Sequence, residues 1–182
     1  AAGALSVELA AGEHRARLHA YGADALHFDA ARGVLVAYGG FLSTSPPQWF
    51  PDTFFWDGMR WFQPPVAAPG PRSGQAMAYD AARGQVVLFG GMTYPNQLYG
   101  DTWVLTSSWY PRISSPSPSA RSGAAMAFDA SRSEIVMFGG AGPGNMESSD
   151  TWVWNGTTWS ERRPMRSPPA RQRHGMVFDS LR

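Results

Sequence analysis

A stretch of sixteen residues, Ala76 to Gly91 (Ala-Met-Ala-Tyr-Asp-Ala-Ala-Arg-Gly-Gln-Val-Val-Leu-Phe-Gly-Gly), returns almost unchanged as Ala125 to Gly140. A looser copy runs from Ala25 to Gly40, and a fourth opens at Gly175-Met-Val-Phe-Asp179. The aspartates that mark the copies, Asp29, Asp80, Asp129 and Asp179, lie 51, 49 and 50 residues apart. Two further markers keep the same beat: Asp52-Thr-Phe-Phe-Trp, Asp101-Thr-Trp-Val-Leu and Asp150-Thr-Trp-Val-Trp, then Trp61, Trp109 and Trp159. A period near 50 constrains the fold more than any composition does. Each unit is one supersecondary element that buries its apolar faces only against its neighbours.

Within a unit the residues spell four antiparallel strands. The first ends in Phe28-Asp29, Tyr79-Asp80 or Phe128-Asp129. A tight turn follows, in which the Asp accepts hydrogen bonds from turn backbone and Gly33 or Gly84 takes positive φ; Ser133 stands there in the third unit. The second strand is the β-branched and aromatic run Val34–Tyr38, Val86–Phe89 or Ile135–Phe138, closed by a Gly pair. The Asp-Thr-aromatic run is the third, and the fourth carries the last Trp after Asp57-Gly58, Ser107-Ser108 or Asn155-Gly156. All 15 prolines fall in the loops after the second strands or in the links between units, where no ladder hydrogen bond is needed. Four strands at this period predict a blade of an all-β propeller.

Composition narrows the chemistry. The 182 residues include no Cys, which excludes disulfides, thiolate metal sites and cysteine nucleophiles. Every one of the 15 basic residues is Arg, so no lysine Schiff base or phosphate-loop lysine exists, and with the abundant Ala this suits a GC-rich bacterial genome. A net charge of +1 draws the chain to neither nucleic acid nor membrane surface. No apolar run reaches the roughly 18 residues of a membrane span and no stretch reads as a signal peptide. The sequence does not begin with Met, so a leader or upstream region can already have been removed. The compartment stays open, secreted or periplasmic being favoured over cytoplasmic.

The Gly pairs, the aromatic before each and the Trp-bearing strands after a variable loop resemble kelch repeats in their bacterial style, Asp-Thr-Trp-x-Trp. The resemblance covers residues 24 to 182. It implies a propeller of four-stranded antiparallel blades that is a scaffold for binding modules, adhesins and enzymes alike. The expected organisation is a single propeller segment: 1–23 as the end of a preceding blade and its link, blades at 24–63, 75–110 and 124–161, and 173–182 as the first strand of another. Leu5–Leu9 reads as a fourth strand and Arg15-Ala-Arg17 as the link after it. Three blades do not close a ring of about four to eight. The remaining blades are therefore expected from a longer chain, making six or seven in all, or from a second copy.

Topology also assigns the faces. In a meander, the turns after strands one and three share one end, and these are short. The loops after strand two (41–51, 92–100, 141–149) and the long links share the other, so recognition is expected on the long-loop face. Of eight Trp, seven sit in or near repeat slots; Trp49, beside Phe50, does not. Trp49 and Phe50 either cover the blade edge or meet a ligand. Tyr94, Asn96, Gln97 and Tyr99 in the second loop, with Asn145 and Glu147 in the third, complete the candidate ligand-binding set. Flat aromatics beside amides suit a sugar ring or an extended peptide. Arg72, Arg121 and Arg171 each precede a marker Asp by eight residues, with Tyr21 in that slot of the first unit. They form either an anion-binding ring at the channel mouth or internal bonds to backbone and carboxylates.

No catalytic set emerges. Seven of nine Asp are repeat markers, Asp24, Asp57 and five Glu are scattered, and the four His show no metal-ligand spacing, so no metal and no cofactor is expected. Asn155-Gly156-Thr157 fits a glycosylation sequon but is explained by its turn. The leading reading is a non-catalytic module for a glycan, peptide or protein partner. One alternative is a kelch-type enzyme scaffold of the sugar mutarotase or epimerase kind, its catalytic residues partly outside this chain. A copper-radical oxidase resembling galactose oxidase is excluded by the absence of Cys. The other alternative is a structural subunit of a larger assembly.

Overall fold

The computed structural model describes residues 5–11, 14–20, 26–42 and 45–181, and among these the regular structure is almost entirely β. An opening hairpin pairs β1 (Leu5–Ala11) with β2 (His14–Ala20). The first blade begins with β3 (Leu26–Asp29) and β4 (Val34–Tyr38). A small ribbon of β5 (Phe41–Leu42) and β6 (Gln48–Trp49) follows, and β7 (Thr53–Trp56) and β8 (Trp61–Phe62) complete the blade. The second blade repeats the plan with β9 (Ala76–Asp80), β10 (Gln85–Phe89), ribbon strands β11 (Met92–Thr93) and β12 (Gln97–Leu98), then β13 (Thr102–Leu105) and β14 (Trp109–Arg112). The third has β15 (Ala125–Asp129), β16 (Glu134–Phe138), β17 (Thr151–Trp154) and β18 (Trp159–Arg162). Its ribbon shrinks to one Ala141–Glu147 bridge around a 3-10 turn at Pro143–Asn145. Each blade is an antiparallel meander: β3-β4-β7-β8, β9-β10-β13-β14 and β15-β16-β17-β18.

The core lies between blades rather than within them. One buried cluster joins Val34, Val36, Tyr38 and Phe55 of the first blade to Met77, Val86, Leu88, Leu105 and Trp109 of the second. Another joins Ala76, Ala78, Val87, Phe89 and Val104 of the second to Met126, Ile135, Met137, Trp154 and Trp159 of the third. Central strands buried on both faces explain why β10 is apolar at Val86–Phe89 without alternation. The fourth-strand Trp is the tie. The Trp109 indole N–H donates to Thr53 Oγ1 at 3.0 Å, and the Trp159 indole N–H to Thr102 Oγ1 at 2.8 Å, each reaching the preceding blade. The Thr of Asp-Thr-Trp is thus an acceptor for the next blade's Trp.

The Gly pair is demanded by the next blade's link. Gly40, Gly91 and Gly140 donate their N–H to the carbonyls of Arg72, Arg121 and Arg171 at 2.8–2.9 Å. A Cβ on Gly39 or Gly90 would lie 2.5 Å from the Arg72 or Arg121 carbonyl oxygen, and both residues have φ near +70°. No other side chain fits there. Each marker Asp holds its own turn: Asp29 accepts from Arg32 N–H, and Asp129 from Ser131 and Arg132 N–H.

Two segments differ from expectation. Arg15–Arg17, expected as a link, lies inside β2 and pairs with Glu8–Ala10. Residues 173–181, expected to open with a strand, form no ladder, because no second strand lies beside them among the described residues. The segment still docks on the third blade: Arg173 N–H donates to the Gly123 carbonyl at 2.7 Å, and the His174 ring meets Phe138 edge-on at 5.5 Å. Pro111 stands in β14, tolerated because β14 is an edge strand.

The first-turn slot yields a test. Gly33 and Gly84 take φ of +68° and +64°, and Ser133 is forced to +54°. Ser133→Gly relieves the left-handed strain and is expected to raise stability by about 1 kcal/mol in urea unfolding. A neutral or destabilising result would show that the turn is not strained.

Candidate functional site

Arg72 and Arg121 do not ring a channel mouth. They are 1% and 2% exposed, and each forks onto a carboxylate that opens the third strand of its own blade. Arg72 reaches Asp101 at 2.7 and 3.0 Å and also donates to the carbonyls of Pro69 and Gly90. Arg121 reaches Asp150 at 2.5 and 2.8 Å and the carbonyl of Gly139 at 3.0 Å. The indoles of Trp103 and Trp152 complete the two carboxylates. Burial alone would raise the Asp101 and Asp150 carboxyls; the arginine and indole hydrogen bonds and the arginine charges outweigh it and hold both below the ordinary carboxylate range. Of the two readings the sequence leaves open, internal bonding describes Arg72 and Arg121, whose guanidiniums are taken up in these forks and are not available to an anion ring. Arg171 is exposed and donates to the Pro169 carbonyl. Tyr21 and Asp24 lie outside the described residues.

The aromatic candidates gather at the boundary of the first two blades. Trp49 is half-buried and stacks on Phe41, its Cα partner in the ribbon, with centroids 5.3 Å apart and an interplanar angle of 17°. Its indole N–H donates to Ser73 Oγ in the link to the second blade, at 3.3 Å. The Tyr94 ring lies tilted beside that of Trp49 at 6.1 Å and is itself 67% exposed. Phe50 is half-buried, with its backbone N–H on the Gly40 carbonyl. Tyr99 is half-buried as well, with the Arg72 guanidinium 4.0 Å above its ring. Trp49 therefore covers its blade boundary, and Tyr94 is the member that meets solvent.

The amide candidates gather one boundary further on. A cleft of about 680 Å³ opens between the loops of the second and third blades, and Asn96, Gln97 and Asn145 all line it. Its apolar lining includes Met92, Leu98, Ala120, Ala141 and Pro143, with Ser122 beside them. No charged or aromatic side chain lines it. Asn145 accepts a hydrogen bond from Gln172 at 3.0 Å, and the Gln97 side-chain amide donates to the Leu98 carbonyl. Glu147 is exposed and lies outside the lining.

Register explains why one boundary is filled and the next is open. Trp49 and Leu98 are 49 residues apart and occupy the same ribbon slot, as do their partners Phe41 and Met92. Ser73 and Ser122 are also 49 apart, and each bridges to the loop of the blade its link leads into, Ser73 with Met92 and Ser122 with Ala141. At the first boundary a large aromatic in that slot reaches its serine. At the second the slot holds Leu98, whose side chain brings Ser122 no donor. Leu98, Ser122 and Ala141 were not among the sequence candidates. Aligning the loops slot by slot across the repeat is the signal that finds them.

Nothing else on the described surface assembles chemistry. Burial lowers the His27 imidazole to about 4, so it is neutral near pH 7. Among the described residues no three His, Asp or Glu converge as metal ligands, and no helix is long and apolar enough to cross a membrane.

Residues 29–181 match the family described as the KLHDC2/KLHL20/DRC7 Kelch-repeats domain. The solved structure of YjhT superposes with a TM-score of 0.64 at 16% identity, over 81% of this chain. That superposition speaks for the fold alone, and the chain spans about half of YjhT, 53% of its length. No curated protein sequence matches significantly.

Two substitutions separate packing from recognition. Arg72→Ala strands Asp101 and empties a buried site, and is expected to cost about 3–5 kcal/mol in denaturant unfolding, against under about 1 kcal/mol for a surface arginine. A cost under 1 kcal/mol would restore the open ring. Trp49→Ala, losing its stack and its serine bond, is expected to cost about 1–3 kcal/mol, more than a surface change. Unchanged unfolding would mean that the indole is free to meet ligand.

Proposed function

The chain belongs to the kelch-repeat family, whose propellers generally bind protein partners, and we propose that it is a non-catalytic interaction module working through its long-loop face. The observation that carries this reading is the cleft bounded by Asn96, Gln97 and Asn145, uncharged and open on the face where the loops are long. Three side-chain amides over an apolar floor suit a peptide backbone, which offers both donors and acceptors. A glycan is less well served, because no aromatic ring lines the cleft: Trp49 and Phe41 stack on each other and the exposed Tyr94 lies beside them at the first boundary. The enzyme-scaffold alternative gains no support from the described residues, where no pair of carboxylates or histidines faces this cleft.

Affinity capture with three forms of the chain tests the assignment of the face. Wild type is compared with a long-loop triple variant, Tyr94→Ala, Asn96→Ala and Asn145→Ala, and with Met59→Ser, which alters an exposed residue of a short turn on the opposite face. The partner set is expected to survive Met59→Ser and to be lost from the triple variant. Retention by the triple variant would remove the long-loop face from the account.

A further inference from the structure

The first blade boundary displays what a cleft of this shape accepts. There an indole lies on the ribbon, stacked on Phe41, with its N–H on the hydroxyl of the following link, Trp49 to Ser73 at 3.3 Å. The second boundary keeps the receiving half of that arrangement and lacks the occupant. Ser122 stands where Ser73 stands, Met92 provides an apolar floor in place of Phe41, Leu98 in the Trp49 slot offers neither ring nor donor, and Ala141 and Gly144 line the cleft from the third blade. Ser122 is 9% exposed and lines the cleft, where Leu98 in the Trp49 slot brings it no donor.

We infer that this cleft binds a partner peptide that inserts a tryptophan side chain, its indole lying over Met92 and Leu98 and donating its N–H to Ser122 Oγ. The inference rests on the reading of the chain as an interaction module and names the chemistry its partner must bring. The aliphatic floor calls for an apolar occupant, and the Trp49–Ser73 pair one blade earlier sets its form: a flat ring with one donor at its rim for the serine oxygen. Among side chains, indole answers both needs, and Trp49 answers them one blade earlier. The absence of charged lining residues also sets the flanking sequence: uncharged residues on either side, with main-chain amides within reach of Asn96, Gln97 and Asn145. The cleft, at about 680 Å³, has room for the ring together with these flanks.

The test is a selection of short random peptides displayed against the wild-type chain, followed by affinity measurements of the recovered peptides on variants whose folding is checked by thermal unfolding. Recovered sequences are expected to share a tryptophan in an uncharged setting. Leu98→Trp, which supplies the indole from within as Trp49 does, is expected to abolish their binding. Ser122→Ala is expected to weaken it about three- to tenfold, the worth of one neutral hydrogen bond, and Ser73→Ala to leave it unchanged. If Leu98→Trp does not fold, Leu98→Phe fills the same space and is held to the same expectation. Recovered peptides without tryptophan, or binding indifferent to Leu98 and Ser122, would overturn the inference while leaving a peptide-binding face elsewhere among the long loops. Recovery of no peptide at all would overturn it too, and capture of a folded partner would then decide whether the interaction-module reading survives by itself.

Discussion

The structure depends on a seam where each blade's link runs against the Gly pair of the blade before. The second glycine donates its N–H to an arginine carbonyl, and the first lies so close to that oxygen that a side chain is impossible. At the first two seams the same arginine, Arg72 or Arg121, turns its guanidinium inward onto the Asp that opens the third strand. One residue thus fixes the junction through its backbone and the blade through its side chain. From this follow the long-loop positions, because the loop leaves directly after the Gly pair and returns to the Asp. The geometry of the clefts between loops is inherited from the seam.

Much of the fold was legible because its causes are local and repeated. The Asp at the first turn, the Gly pair and the Asp-Thr-Trp run each sit in one slot at a fixed spacing, and three copies expose the slot. The blades and their antiparallel order follow from those slots. What sequence did not give was direction. The spacing of Arg72 and Arg121 is the same whether their side chains face the channel or turn back onto Asp101 and Asp150, and only the 29-residue separation closed in space decides it. Trp49 stands out in the sequence because the repeat does not require it, and in the structure its stack on Phe41 and its bond to Ser73 fill one boundary. Leu98 and Ser122 are silent in the sequence, since an ordinary leucine and serine carry no chemical signal alone. Their meaning is comparative: each matters for what its counterpart does one blade away.

Asymmetry within a repeat is the physical basis of the functional reading. Identical blades would present identical boundaries, and a scaffold of that kind recognises nothing in particular. Here the ribbon pair changes from Phe41–Trp49 to Met92–Leu98 to Ala141–Glu147 around the arc, while the strands beneath stay nearly constant. Stability is carried by repeated slots in the interior of the blade stack, where Trp109 and Trp159 grip the threonines behind them. The loops are left free to differ, as expected where recognition sits on a rigid frame.

The central claim is that residues in equal register slots do equal physical work, so the second boundary is the first with its occupant removed. A crystal structure of the Leu98→Trp variant measures this directly. The account requires the new indole to lie over Met92 with its N–H on Ser122 Oγ, near the 3.3 Å of Trp49 and Ser73, and the cleft to be closed. An indole turned out to solvent above an open cleft, with the Ser122 hydroxyl unpaired, would contradict it.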